Sequence, residues 1–330
     1  MPIKGTNFIE LNTSQRDAIR PLAEDVGIRV IHGPPTTGKT KCLAVLMEAM
    51  ALQGKRVLVC AESNKPVDNL LAKFAKTSAF EVSKMSATTL RLGDVKVENS
   101  KFENLSLAYK SSELNKNYDL KKCHHNSRKE YVLRNSKIVF ATQESLFDQS
   151  VLDVYLKYKF DYAIIDDASS EIGIHTLMAI AVSKRIIMAG DHKISRPSLT
   201  HRSKPDLTES LFHTLMNRIE QYPSIRTRYY SMLQVQYAIN DSIFQISNSL
   251  YYGNQISSDM TVSNILIKDL AKPSGSIIPN DKPLVWIDHV YGDGESKTGE
   301  SHILMGIISD MIGIMKLPAT YIGIIVEDIK

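Results

Sequence analysis

Residues 28–43 read IRVIHGPPTTGKTKCL. The β-branched run Ile28, Val30, Ile31 stops at Gly33, a short loop follows, and a helix-forming run begins at Lys39. This is G-x-x-x-x-G-K-[ST] in a strand–loop–helix setting, the signature of a phosphate-binding loop. Free backbone N–H groups of such a loop, and those at the start of the helix behind it, converge on an anion. Gly33, Pro34, Pro35, Thr36, Thr37 and Gly38 would form the cradle. Lys39 would reach the outer phosphates, and the Thr40 hydroxyl would ligate Mg²⁺. Thr36 is out of place here, because a β-branched residue resists the strained dihedrals that glycine tolerates.

With 330 residues and 43% hydrophobic content, the chain can bury a large core, and two domains are expected. No apolar run is long enough to span a bilayer. The opening MPIKGTNFIELN lacks the apolar centre of a signal peptide. Cys42, Cys60 and Cys123 lie far apart and form no framework. An intracellular location, cytoplasmic or nuclear, is the expectation. A formal net charge of +4 is too mild to establish a nucleic-acid binder by itself.

Outward from the loop, the pattern alternates. A capped helix is expected from residue 12 or 13, with Ala18, Ile19 and Leu22 on its apolar face. The run 39–52 reads as a helix ended by Gly54, 56–60 (RVLVC) as a buried strand, and Pro66 as the start of another helix. Strands are expected again at 137–141 (KIVFA), 161–165 (DYAII) and 185–189 (RIIMA), with helices at 172–182 and 208–220. This is the rhythm of a parallel α/β sheet. A polar insert interrupts it at about 94–135. The stretch 221–227 reads as a joint, giving domains 1–222 and 223–330. Beyond the joint come a strand at 230–235, a helix at 239–252, a strand at 284–288 (LVWID), a helix at 300–316 and a strand at 321–326. Trp286 and the methionines of the 300–316 helix are expected to pack in a core.

A phosphate loop needs a second carboxylate-bearing strand end. Residues 163–170 (AIIDDASS) supply Asp166 and Asp167 at the carboxyl end of an apolar strand, where open parallel sheets bind ligands. Asp166 would hold Mg²⁺, and Asp167 would activate the attacking water.

With these residues in place, the motif order resembles one family. Residues 8–15, ending in Gln15, look like the Q motif of superfamily 1 helicases, and 32–40 like their motif I. Residues 59–70 look like motif Ia, 140–142 like motif Ic, 166–169 like motif II and 189–193 like motif III. Gln236 and Tyr237, followed by Phe244 and 251–253, look like motif IV and its helix. The nearest subgroup is the up-frameshift and immunoglobulin-mu-binding helicases, which move 5′→3′ on RNA or DNA. The resemblance implies a RecA-like fold with an incomplete second RecA-like domain and a stalk in the insert. It also implies ATP and Mg²⁺ as cofactors and single-stranded RNA or DNA as partner. Gln15 would read adenine, Tyr237 would pack near the base, and Asp191 would sit by the phosphates. Ser63, Asn64 and Thr142 would touch the nucleic-acid backbone, and Lys39 and Asp167 would carry the chemistry.

The departures from the family share a direction. Asp167 stands where relatives have Glu, drawing the carboxylate back by ~1.5 Å. Ile194 stands where they have the Gln that senses the terminal phosphate. Ala238 replaces an arginine finger worth about 10³–10⁵ in rate. Glu62 puts negative charge beside a would-be phosphate contact. No match to motifs V and VI is found, and 322–326 resembles only the strand before them, so a second lobe cut short is expected. Binding positions fit the family while hydrolytic ones depart from it, so ATP binding is expected with impaired turnover. The alternative is a catalytically inactive pseudo-helicase or fragment serving as a nucleotide-gated nucleic-acid-binding or scaffold module. Of two basic stretches, 121–129, with Cys123, His124 and His125, offers a zinc or nucleic-acid site but reads as solvated surface, since no Cys-x-x-Cys or His pair accompanies it, and 196–204 reads as an exposed loop or a nucleic-acid channel wall.

Overall fold

The structure is a computed structural model that describes residues 8–20, 27–77, 80, 85–93, 102–114, 125–194, 209–270, 278–279, 281–288 and 298–325. The chain divides into two compact units, 1–234 and 235–330.

The first unit is built on a seven-stranded sheet. Its strands are β1 (Ile28–His32), β2 (Val57–Ala61), β3 (Thr89–Leu92), β4 (Ile138–Thr142), β5 (Tyr162–Ile165), β6 (Ile186–Gly190) and β7 (Tyr230–Met232). Their order is β3-β4-β2-β5-β6-β1-β7, and every pairing is parallel. Parallel sheets are covered on both faces, so their strands read as continuous apolar runs. β2 shows why those runs still sort by face. Val57, Val59 and Ala61 join one core, while Leu58 and Cys60 join the other. The two cores are therefore the two sides of one pleat.

One face is covered by α1 (Thr13–Ile19), α2 (Lys39–Leu52) and α3 (Asn64–Phe74). The polar insert forms α4 (Leu107–Glu113) and α5 (His125–Asn135) within its described part. The other face carries α5 with α6 (Gln149–Lys157), α7 (Gly173–Ala181) and α8 (Leu211–Gln221). A short helix, α9 (Pro223–Tyr229), leads directly into β7. Because β7 pairs with β1 through Val30↔Tyr230, Ile31↔Ser231 and His32↔Met232, residues 223–234 belong to the first unit. The sequence placed them beyond a joint. A strand's partner is a tertiary fact that Pro223 and its polar neighbours do not reveal.

The second unit contains β8 (Val235–Gln236), α10 (Asp241–Tyr251), β9 (Ser257–Ser258), α11 (Ile267–Leu270) and α12 (Thr298–Gly313). Its described strand pairing is confined to β8 with β9. The strands expected at 284–288 and 321–326 are not formed over their described residues. A 3₁₀ turn, Ala319–Tyr321, occupies the start of the latter. Trp286, expected in a core, is 90% exposed, and Ile325 is fully exposed. β propensity acts through packing on neighbouring strands, and no strand among the described residues flanks these runs. On the α12 face expected to pack, Leu304 and Ile312 are exposed, while Met315 just beyond the helix is buried.

Candidate nucleotide site and strand-end cleft

All seven strands run the same way, so one edge of the sheet collects the loops after β1, β2, β4, β5 and β6. Gly33, Asp166 and Asp191 begin three of those loops, Ser63 is the second residue of the loop after β2, and Thr142 ends β4. The Gly33 amide donates to Gly190 O at 3.2 Å, tying the ends of β1 and β6 together. A side chain at Gly33 would meet Thr37 Oγ1 at 2.5 Å, so only glycine lets the chain turn there. The Thr37 hydroxyl closes the turn on Pro34 O at 2.7 Å. Gly38, at φ 89°, starts α2 in a left-handed conformation that suits glycine. Thr36 has φ 67°, so the irregularity visible in the sequence is a real backbone strain.

Gln15 is spent on this loop. Its amide nitrogen donates to Thr37 O at 3.0 Å, and its oxygen accepts from the Asn12 amide at 3.0 Å, within the capping box of α1. The side chain is buried and braces the cradle from behind. The Lys39 ammonium donates to Gly33 O at 2.7 Å and to Pro34 O at 3.1 Å. Burial pulls it below the usual lysine range, against the attraction of Asp191, Asp166 and Asp167.

Across the loop, Thr40 Oγ1 donates to Asp166 Oδ2 at 3.4 Å. Two oxygens on one octahedral Mg²⁺ lie ~2.9 Å apart at metal–oxygen distances of about 2.0–2.1 Å. A small closure brings this hard-oxygen pair to that spacing, so the donor set fits Mg²⁺. Burial raises the Asp166 carboxyl above its ordinary range, and Lys39 opposes that rise.

Asp167 is differently placed. It has φ 52°, and its carboxylate accepts from Ser170 Oγ at 2.9 Å and Ser169 Oγ at 3.4 Å. The group expected to activate water is turned onto its own turn. Ser169 Oγ also accepts the Asp191 amide at 3.1 Å, linking the β5 and β6 loops.

The Asp191 carboxylate meets His32 Nε2 at 3.2 Å and accepts the Lys193 amide at 3.0 Å. His32 Nδ1 pairs with Tyr230 Oη at 2.9 Å. His192 pairs with Glu220 at 3.1 Å, and burial, then His32 and Lys193, pull its pKa down to about 4. Glu171 is a second buried group that the sequence did not single out. Neither carboxylate oxygen has a hydrogen-bond partner, and burial, with Glu62 and Asp167 adding, pushes the carboxyl up to about 8. Only the fold brings residues so distant in sequence together. A buried-looking His or Glu beside a motif is the sole hint.

Ser63, Asn64 and Thr142 line one open cleft of about 780 Å³. Glu62, Glu103, Glu144, Asp148, Lys129 and Arg91 line it too. Arg91 is fully buried, bound to Asp68 at 2.8 Å and to Asn64 Oδ1 at 2.7 Å. The cleft therefore offers more negative than positive charge to an incoming strand. Residues 195–204, the basic stretch after motif III, lie outside the described residues, as do 121–124.

Tyr237, in the second unit, is partly exposed. Beside it, Gln236 is fully buried, accepts from the amides of Ala238 at 2.9 Å and Ile239 at 2.8 Å, and donates to Ser258 Oγ at 2.6 Å. It shapes the turn that presents Tyr237.

A protein family described as "AAA domain" matches residues 10–130 and 98–193. Over 323 residues the chain is 25% identical to an "Uncharacterized ATP-dependent helicase" of Methanocaldococcus jannaschii, spanning 79% of this chain and 48% of that protein. It is 26% identical to the "DNA polymerase alpha-associated DNA helicase A" of Saccharomyces cerevisiae, over 90% of this chain and 49% of the relative. It is 28% identical to the "ATP-dependent helicase NAM7" of the same yeast, over 78% and 27% respectively. The chain thus spans about half, or less, of the length of these relatives. With its phosphate loop, its parallel sheet and these matches, the chain belongs to the AAA domain family, within the up-frameshift-like superfamily 1 helicases.

Proposed function

We propose that this chain is an ATP- and Mg²⁺-binding helicase module acting on single-stranded RNA or DNA, with slow turnover. The observation that carries the reading is the Lys39–Thr40–Asp166 constellation at the loop after β1. A buried ammonium there lies within the field of three carboxylates, and a hydroxyl faces a carboxylate oxygen at 3.4 Å, a small closure short of Mg²⁺-ligand spacing. Lys39 takes the outer phosphates, Thr40 and Asp166 hold the ion, and Asp191 anchors the phosphate side. Gln15 supports the cradle and Tyr237 contributes the base contact. Bound Mg²⁺ would neutralise charge on the transferring phosphoryl group. By family likeness, hydrolysis would drive 5′→3′ movement. The pinning of Asp167 on Ser170 supports slow chemistry, because a general base must reach the water it deprotonates.

Ser63, Asn64 and Thr142 are proposed to hold the strand through its backbone. In a cleft carrying Glu62, Glu103, Glu144 and Asp148, few counterions are released on binding, so affinity should fall only shallowly with salt. That same charge favours a second reading, a nucleotide-gated scaffold that does not move along nucleic acid. No helix among the described residues is long and apolar enough to cross a membrane, in keeping with a cytoplasmic or nuclear module.

Nucleotide binding and turnover, each with and without single-stranded RNA or DNA, separate the readings. Lys39→Ala is expected to abolish both binding and turnover. Asp167→Glu is expected to raise turnover without tightening binding. Nucleotide binding with no turnover above the Lys39→Ala background, in the wild type and in Asp167→Glu alike, would favour the scaffold.

A further inference from the structure

Behind the phosphate loop, His32 at the end of β1 and Asp191 and His192 just after β6 bring their ligand atoms within 4.8 Å of one another, all three side chains being buried. We propose that His32, Asp191 and His192 form a site for a divalent transition ion of the Zn²⁺ class, clamping the ends of β1 and β6. Two imidazoles and one carboxylate suit Zn²⁺, whereas Mg²⁺ demands an all-oxygen shell, so this site is chemically distinct from the Thr40–Asp166 pair.

The spacing supports it. Ligands on a tetrahedral Zn²⁺ stand ~3.3 Å apart for bonds of about 2.0–2.1 Å. His32 Nε2 and Asp191 Oδ1 are already 3.2 Å apart. His192 has only to swing its ring inward, and that ring lies 4.9 Å from the His32 ring, centroid to centroid.

The outer partners are those a metal-binding histidine needs. A ligating histidine usually gives its other ring nitrogen to a carboxylate, a carbonyl or a hydroxyl, which fixes the tautomer. His32 Nδ1 is on Tyr230 Oη at 2.9 Å, and His192 Nε2 is on Glu220 Oε1 at 3.1 Å. With Nε2–H directed at Glu220, the lone pair of His192 lies on Nδ1. That atom is buried and has no hydrogen-bond partner among the described residues. Leaving such a lone pair buried and unpaired is unfavourable, and an ion would relieve it. Four segments meet at the site: the end of β1, the loop after β6, α8 and β7.

The test is Zn²⁺ titration of the full chain, chelator-treated and free of nucleotide, against a chromogenic chelator in excess Mg²⁺. Omitting nucleotide keeps the result independent of the ATP reading. The wild type is expected to take one equivalent, and Co²⁺ in its place should give ligand-field bands. His192→Ala and His32→Gln should lose this equivalent. Glu220→Gln should weaken it about 10–100-fold. Zn²⁺ should raise the melting temperature of the wild type but not of His192→Ala. Combined replacement of Cys123, His124 and His125 should leave binding intact. No equivalent in the wild type, or one that survives His192→Ala or disappears with the Cys123–His125 replacement, would overturn the proposal. Should His192→Ala fail to fold by circular dichroism, Glu220→Gln decides, and unchanged affinity there overturns it equally.

Discussion

The runs RVLVC, at 56–60, and LVWID, at 284–288, are near twins in composition, and the structure treats them oppositely. In the first unit, Val57, Leu58, Val59 and Cys60 lie between β4 and β5 with no more than 1% of any side chain exposed. In the second, Leu284, Val285, Trp286 and Ile287 make no strand and are all exposed. A strand is a relation between segments, and a local apolar run states only that one end of the relation is available.

The largest expected contrast comes from truncating one large side chain in each unit. Phe140→Ala, in the core of the first unit and 5.9 Å from the Phe74 ring, should cost about 3–5 kcal/mol. Trp286→Ala should stay within about ±0.5 kcal/mol. Urea unfolding followed by circular dichroism measures both. Trp286 is the only tryptophan, so its emission should be that of a water-exposed indole, fully open to iodide quenching. A blue-shifted, unquenched emission would erase the contrast.

Next in size is pH. The Glu171 carboxyl titrates at about 8 in the fold and near its ordinary value of 4.5 when unfolded. Its contribution to stability is complete below that ordinary value. It is lost as pH rises through 8, because the unfolded chain has already shed the proton that the fold retains. The slope is ~1.4 kcal/mol per pH unit at most. Glu171→Gln should flatten the fall in melting temperature across that window. An unchanged pH profile would place the burial cost elsewhere.

A smaller effect should follow from Gly38→Ala. The new Cβ would meet Gln15 Nε2 at 2.5 Å and carry a left-handed φ, at a cost of about 2 kcal/mol. Smallest is Thr36→Gly, which relieves φ 67° but enlarges the unfolded ensemble, for a net change of about 0.5 kcal/mol. Thermal melts of both variants resolve these differences. At Gly253, with φ 58° in the second unit, a new Cβ would meet only Gln255 Nε2, at an ordinary 3.8 Å, so Gly253→Ala should lack the steric part of the Gly38 penalty.

These contrasts mark how much was legible. The loop, its flanking strand and helix, and β2, β4, β5 and β6 could be read because each carries a full local signal, whereas the four-residue β3, Thr89–Leu92, was not expected. Their boundaries shifted by only a residue or two: KIVFA at 137–141 became Ile138–Thr142. β7 was misjudged because its sheet is chosen by β1, more than 190 residues upstream in the register Val30↔Tyr230. The site was legible as residue types but not as orientations. Asp167 was visible as a short carboxylate, while its rotation onto Ser170 was not. Gln15 was read as an adenine contact, and the fold shows it bracing Thr37. His32, His192 and Glu220 carry no common sequence signal, since three separate segments must meet before they become neighbours.

Lys39 makes one further point about exchange. Its ammonium is already solvated by the chain itself, through the carbonyls of Gly33 and Pro34. A phosphate bound there, as proposed, would compete with two oxygens of its own cradle. Entry would be a swap of partners on one cation, so the gain in binding would be the difference between phosphate and carbonyl rather than the full attraction of a bare charge. The loop also keeps a return position for the lysine, which would give departing phosphate an internal substitute and let the site empty without stranding a buried cation.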